Sequence, residues 1–303
     1  MGITNKADLL ETEQRNALSV NLDKMSINEI IVLMNNENLI VNKAIEDCIE
    51  PIGILIRETV TRLQSGGRLF YMGAGTSGRL GVLDAAECVP TFNTPPDLVQ
   101  GIIAGGNEAL INAVEGAEDS VEQGILDLKE RHLTHLDVVI GITASGTTPY
   151  VAGGLKYANE MGAVTGLICN NKHSLISKIA DHAIELLTGP EILTGSTRLK
   201  AGSAQKNVLN MISTITMVQL GKVYENLMID VQSTNNKLVD RSKRIVMEAT
   251  SCDYETATYY LEHSEASIKL AIIRIMLEIS LKEAKALLDS SGGQVKKAME
   301  SIK

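Results

Sequence analysis

The chain has no tryptophan, two phenylalanines and seven tyrosines. So few aromatic rings leave little to stack on bases, and no lysine or arginine block supplies a phosphate-neutralising patch. A formal charge of −9 adds repulsion toward any polyanion, so nucleic-acid binding is not expected. Long hydrophobic runs are also missing. None approaches the roughly 20 apolar residues a membrane helix needs, so no membrane association is expected. No basic-then-apolar leader opens the sequence, which points to a cytoplasmic location. The four cysteines (Cys48, Cys88, Cys169, Cys252) form no CxxC pair, which argues for reduced thiols over a disulfide frame or zinc site. The five histidines lack metal-ligand spacing, and His132 and His135 read as surface residues at a helix end. There is no P-loop and no Ser-His-Asp set.

What is present is glycine, with hydroxyl residues beside it at the ends of apolar segments. At 303 residues the chain has room for one large domain and a small one. Arg68 to Glu87 organises the rest. A short strand (Leu69 to Met72) enters Gly73-Ala74-Gly75-Thr76-Ser77-Gly78, and a helix follows. Glycines let backbone amides come close to a ligand, and a helix N-terminus favours an anion. The literal GxGxxG match is the weak signature of a dinucleotide turn. That reading needs a carboxylate about 20 residues on, at the end of the second strand. Here the next strand candidate, 98–104, ends in Gly105-Gly106. Adjacent hydroxyls on Thr76 and Ser77 suit a compact terminal phosphate better, and a phosphate site is preferred over a purely structural turn.

The logic repeats downstream. A strand over 138–142 leads into Ser145-Gly146-Thr147-Thr148-Pro149 and a helix from Tyr150, with proline near the first helical position. Ligands of open α/β sheets sit beyond the carboxyl ends of strands, so two such turns can converge on one phosphate. A third Gly/Ser/Thr-rich segment, 191–205, contains Ser196, Arg198 and Lys200. It opens a helix over 204–226 that is apolar nearly all round, hence buried in a core or against a second subunit.

Around these turns, residues 1–45 read as polar and helical, with a capping box at Ser26-Ile-Asn-Glu29. A second helix is expected over 41–65, and Val89-Pro90 is expected to end the helix that follows the first turn. The periodicity predicts one helix over 107–131, with Glu115, Glu118 and Glu122 flanking its apolar stripe. Gly116 weakens that reading, because glycine inside a helix costs about 0.5–1 kcal/mol. Strands are expected at 164–168 and 183–187, with a helix at 174–180 between them. From about Asp240 the chain reads as a small helical unit with a capping box at Ser280-Leu-Lys-Glu283. Two carboxylates lie near the turns. Glu87, near a helix C-terminus, feels the negative end of the dipole, which suits a general acid. Glu118, if ionised, suits a general base. Taken singly, either glutamate also fits a solvated charge, so the residues by themselves reach acid–base chemistry on a small phosphorylated metabolite.

Four segments carry something more specific: GGRLFYMGAGTSGRLGVLDAAECVPTF, IIAGGNEALINAVEGAEDS, GITASGTTPYVAGGL and LTGSTRLKAGSAQKNVLNM. With ETEQRN near the N-terminus and the C-terminal helices, they resemble the N-acetylmuramic acid 6-phosphate etherase family of the sugar isomerase (SIS) superfamily. The resemblance implies a three-layer αβα sandwich with a five-stranded parallel sheet, plus a C-terminal three-helix unit similar to a ubiquitin-associated fold. It implies an N-terminal helical segment at 1–50, an SIS domain at 51–235, the small domain at 240–303, and a homodimer. The implied reaction removes the D-lactyl ether from C3 of a phosphorylated amino sugar without cofactor or metal. Glu87 matches the proton donor and Glu118 the base. Gly75, Thr76, Ser77, Glu115, Ser145, Thr147, Thr148 and Ser196 match substrate and phosphate positions, although some members carry arginine where Thr147 stands. An aldose–ketose isomerase and a non-catalytic phosphosugar sensor are the rival classes. Retention of both glutamates argues against the sensor.

Overall fold

Leu69–Gly73 (β1) is buried at all five positions, because both faces of the strand are covered. The same holds for Val138–Thr143 (β3) and Val164–Cys169 (β4), buried throughout. Uninterrupted apolar runs of this kind are what parallel strands flanked by helices require. With Val99–Ile103 (β2) and His182–Glu185 (β5) they form one parallel sheet in the order β2-β1-β3-β4-β5. The computed structural model describes residues 10–231 and 236–302. The helical pattern expected over residues 1–9, and the end of the 51–235 span, lie outside them.

Two compact units divide the chain: residues up to Ala86 with Asp97–Ser213, and Glu87–Pro96 with Thr214 onward. The first holds the sheet. One helical layer is built from Val121–Glu130 (α5) and Pro149–Glu160 (α6). Its core joins Phe70, Met72, Leu128, Val139, Tyr150, Val151, Leu155 and Leu167, all fully buried. The elements α1 (Ile27–Glu46) and α2 (Ile49–Gln64) precede β1. The capping box is present, with Ser26 accepting from Glu29 N and Glu29 accepting from Ser26 N. Val41, Ala44 and Ile45 close α1 instead of opening the second helix, because the chain breaks at Asp47–Cys48. Residues 11–24 form three short 3₁₀ turns in place of a helix. There Asn16 spends its side chain on Leu18 N, Glu37 and Pro190 O, bonds that compete with a regular helix.

The helix after β1, α3 (Gly75–Phe92), runs through Pro90 instead of ending before it. The segment expected as one helix over 107–131 is broken into α4 (Glu108–Ile111), a 3₁₀ turn at Ala117–Asp119, and α5. Gly116 at φ +74° and extended Asn112 interrupt the period. The three glutamates therefore do not share a helix face. The 174–180 helix shrinks to a 3₁₀ turn, Ile176–Lys178, where Ser174 Oγ accepts from Ser177 N. The long apolar helix, α7, spans Lys200–Gln219, starting four residues early and stopping at Gly221 (φ +74°). Its start is fixed by Glu191, whose carboxylate accepts from Lys200 N at 3.1 Å and Ala201 N at 2.9 Å. Burial pushes that carboxyl above its usual range, against the opposing pull of the two amides.

In the second unit a short hairpin, β6 (Val223–Tyr224) and β7 (Leu227–Met228), follows α7. Five helices then close one core: α8 (Asn236–Thr250), α9 (Tyr254–Glu262), α10 (Ile268–Leu277), α11 (Leu281–Ser290) and α12 (Val295–Glu300). The span 240–303, expected as a three-helix unit, holds most of α8 and all of α9–α12, with both halves of the Ser280–Glu283 capping box formed. Val246, Ala257, Ala271, Ile272, Ala284 and Ala298 are fully buried in the core shared by all five helices.

Candidate functional site

The register of β1 against β3 pairs Gly73 with Ile142, so the turns after both strands leave the same sheet edge side by side. In the first turn a Cβ on Gly78 would lie 2.6 Å from Gly73 O, and only glycine permits that closure. The opening N–H groups of α3 have no intrahelical acceptor and are available to an anion. Ser77, buried beneath them, donates its hydroxyl to Gln205 Oε1 at 2.8 Å. Gln205 Nε2 donates to Asn170 Oδ1 at 2.9 Å, and Asn170 Nδ2 to Leu186 O at 3.1 Å. A main-chain carbonyl accepts only, so it fixes the direction of every proton back to Ser77. The Ser77 proton therefore points at Gln205, and Thr76 and the amides are left for a ligand.

The second turn is a knot of hydroxyls. Thr143 Oγ1 meets Thr148 Oγ1 at 2.7 Å and Ser145 Oγ at 3.4 Å. Ser145 Oγ accepts from Thr147 N at 3.2 Å and from Thr147 Oγ1 at 3.0 Å. Gly146, at φ +72°, gives the turn its hand.

Beside the first turn is a cleft of about 300 Å³ lined by Ala and Gly residues with Arg79, Asn112, Val114, Glu115 and Glu118. Gly75 is part of its wall. Both glutamates are exposed, set on the loop that Gly116 turns. Arg79 anchors that loop, donating from Nε to Leu110 O at 3.1 Å and from Nη2 to Asn112 O at 3.0 Å. The cleft thus brings together Gly75, Glu115 and Glu118. Ser145, Thr147 and Thr148 stay on the neighbouring turn. Ser196 is half-buried in the loop before α7, its N–H donating to Leu193 O at 2.9 Å. Glu87 is exposed on α3 and belongs to the second unit.

Arg79, Gln205 and Asn170 are not foreseen from the sequence as parts of the site. The available signal was polarity in the wrong place: Gln205 lies in an otherwise apolar helix, and such a side chain needs a partner. Among the described residues no three His, Cys, Asp or Glu side chains are arranged to hold a metal ion. No described helix is long and apolar enough to cross a membrane.

Residues 52–159 match the N-terminal SIS domain of glucokinase regulatory protein, and residues 120–214 match the SIS domain. A phosphoheptose isomerase from Francisella tularensis superposes at TM-score 0.49 and 16% identity, covering 66% of this chain and 99% of that one. The N-acetylmuramic acid 6-phosphate etherase of Geobacillus sp. (strain WCH70) is 55% identical over 96% of this chain and 99% of its own. That of Exiguobacterium sp. (strain ATCC BAA-1283 / AT1b) is 53% identical over the same shares. With this identity along nearly its whole length, the chain belongs to the N-acetylmuramic acid 6-phosphate etherase family.

Proposed function

We propose that this enzyme cleaves the D-lactyl ether of N-acetylmuramic acid 6-phosphate, giving N-acetylglucosamine 6-phosphate and D-lactate in the cytoplasm. The observation that carries this reading is the cleft in which Gly75, at the start of α3, shares a wall with Glu115 and Glu118. The phosphate is held by the α3 amides, that of Ser77 among them, with the Thr76 hydroxyl, and by Ser145, Thr147 and Thr148. Gly75 allows its approach, and Glu115 and Ser196 contact the sugar. With the sugar ring open, the C1 aldehyde acidifies the C2 hydrogen and Glu118 removes it. The electron pair moves into C2–C3, the C3–O bond breaks on the same face, and Glu87 protonates the departing oxygen. Water then adds its oxygen to C3 and a proton to C2. Each positioned proton transfer is worth roughly 10²–10⁴ in rate. No step calls for a cofactor or metal.

The enzyme works as a homodimer. Met211, Ile215 and Val218 recur at i, i+4 and i+7 along one face of α7 and are each more than a third exposed. The direct test is incubation with N-acetylmuramic acid 6-phosphate and assay of free D-lactate. Lactate with N-acetylglucosamine 6-phosphate supports the reading. A ketose phosphate with no lactate would make the protein an isomerase.

A further inference from the structure

Arg79 is the only cation among the side chains lining the cleft, which otherwise presents two carboxylates and small neutral groups. The substrate class proposed above is itself anionic twice over, in its phosphate and in the carboxylate of the lactyl group. The phosphate has amides and hydroxyls waiting for it at the two strand-end turns. The lactyl carboxylate must instead enter a cleft that already holds Glu115 and Glu118, in a molecule of net charge −9. Like charges that close are repulsive unless a cation intervenes.

The guanidinium is placed for that task. Its Nε–Nη2 edge is taken up by Leu110 O and Asn112 O, which fixes the plane of the group. The opposite edge, Nη1 with the second Nη2 hydrogen, donates to nothing among the described residues and belongs to a side chain that is half-buried in the cleft wall. A guanidinium edge of this kind matches a carboxylate with two parallel hydrogen bonds, which an ammonium cannot do. We propose that Arg79 reads the lactyl carboxylate, making it the residue that sets specificity for an acid-bearing ether over a neutral one. The inference rests on the proposed etherase reaction.

The test compares kcat/KM for N-acetylmuramic acid 6-phosphate and for its analogue with the lactyl carboxylate replaced by a primary amide. Wild type should prefer the acid by roughly 10- to 100-fold, the value of a charge-assisted bidentate pair. In Arg79→Gln the ratio should collapse to about one, with the loss on the acid appearing mainly in KM. Arg79→Lys keeps the charge and should hold part of the preference, which covers the case in which the glutamine variant fails to fold. A ratio unchanged in Arg79→Gln, however far both rates fall, would mean that Arg79 only staples the 110–112 loop, and the inference would be wrong. A wild type indifferent to the carboxylate overturns it too. Wild type that releases no lactate from the acid would instead remove the etherase reading beneath it.

Discussion

Glu118 sits in a 3₁₀ turn immediately after a left-handed glycine, and that backbone, more than any charge pattern, decides where its carboxylate can reach. The sequence marks the residue, and the discord of Gly116 with a helix is visible there too. The turn itself is not, because periodicity over 107–131 fits a helix as well as two short helices around a loop. At this scale the two glutamates separate in heavy water. Glu118→Gln should lose both lactate release and deuterium uptake at C2, since nothing removes the proton. Glu87→Gln should stop lactate release yet retain slow exchange at C2, followed by NMR on recovered substrate. Free exchange in the first variant and none in the second would reverse the roles. The Gln205 chain makes a second expectation. Gln205→Leu strands the Ser77 hydroxyl and the Asn170 Oδ1 acceptor, each at about 1–3 kcal/mol. It should therefore raise KM for the phosphorylated sugar and lower the melting temperature. A variant with wild-type KM and stability would show that the chain does not support the phosphate turn.

At the level of elements, the central strands β1, β3 and β4 were legible because burial on both faces forces continuous apolar runs, and all five strands fall within a residue or two of their expected ranges. Helix ends were less so, since they depend on partners far along the chain. Glu191 starts α7 and Asn16 diverts the N-terminal segment toward Glu37 and Pro190, bonds that local spacing does not contain. Asp137, one residue before β3, is a further tie of this sort. It accepts from Arg68 N at 2.8 Å, Arg68 Nη2 at 2.9 Å and Thr134 N at 2.8 Å, joining the starts of β1 and β3. Burial pushes its carboxyl upward, but the Arg68 and Thr134 bonds together outweigh it and hold the group below the usual carboxylate range. A depressed carboxyl stabilises the fold above its unfolded value near 4, and that contribution fades as pH falls through the folded value. Asp137→Asn should thus cost about 2–3 kcal/mol at pH 7 by urea unfolding. The gap from wild type should narrow as the pH drops below about 4. A gap that stays constant with pH would show that the ionised carboxylate is not what ties the strands.

For the whole molecule, the α/β class and a helical C-terminal unit were readable, the first from strand–turn–helix repeats and the second from its capping box. The two helices α8 and α9 ahead of the final three were not, because nothing local distinguishes a connecting helix from one that closes a core. Glu87 stands twelve residues beyond Gly75, about 18 Å along the helix axis at 1.5 Å per residue. That span exceeds one sugar phosphate, and the expectation to test is that, in the proposed dimer, Glu87 of one subunit serves the turn of the other. Mixing unfolded Glu87→Gln and Glu118→Gln subunits and refolding them together should then restore about a quarter of wild-type activity, since half the dimers carry one complete site. No recovery would place both glutamates in the same chain's site.

The central claim is that the C3–O bond breaks and water replaces the lactyl oxygen. Turnover in ¹⁸O-labelled water, read by mass spectrometry of both products, tests it most directly. The account predicts ¹⁸O at C3 of N-acetylglucosamine 6-phosphate and none in the D-lactate, which keeps the ether oxygen. Label in the lactate, with none at C3 of the sugar, would mean that the bond on the lactyl side is cut and would contradict it.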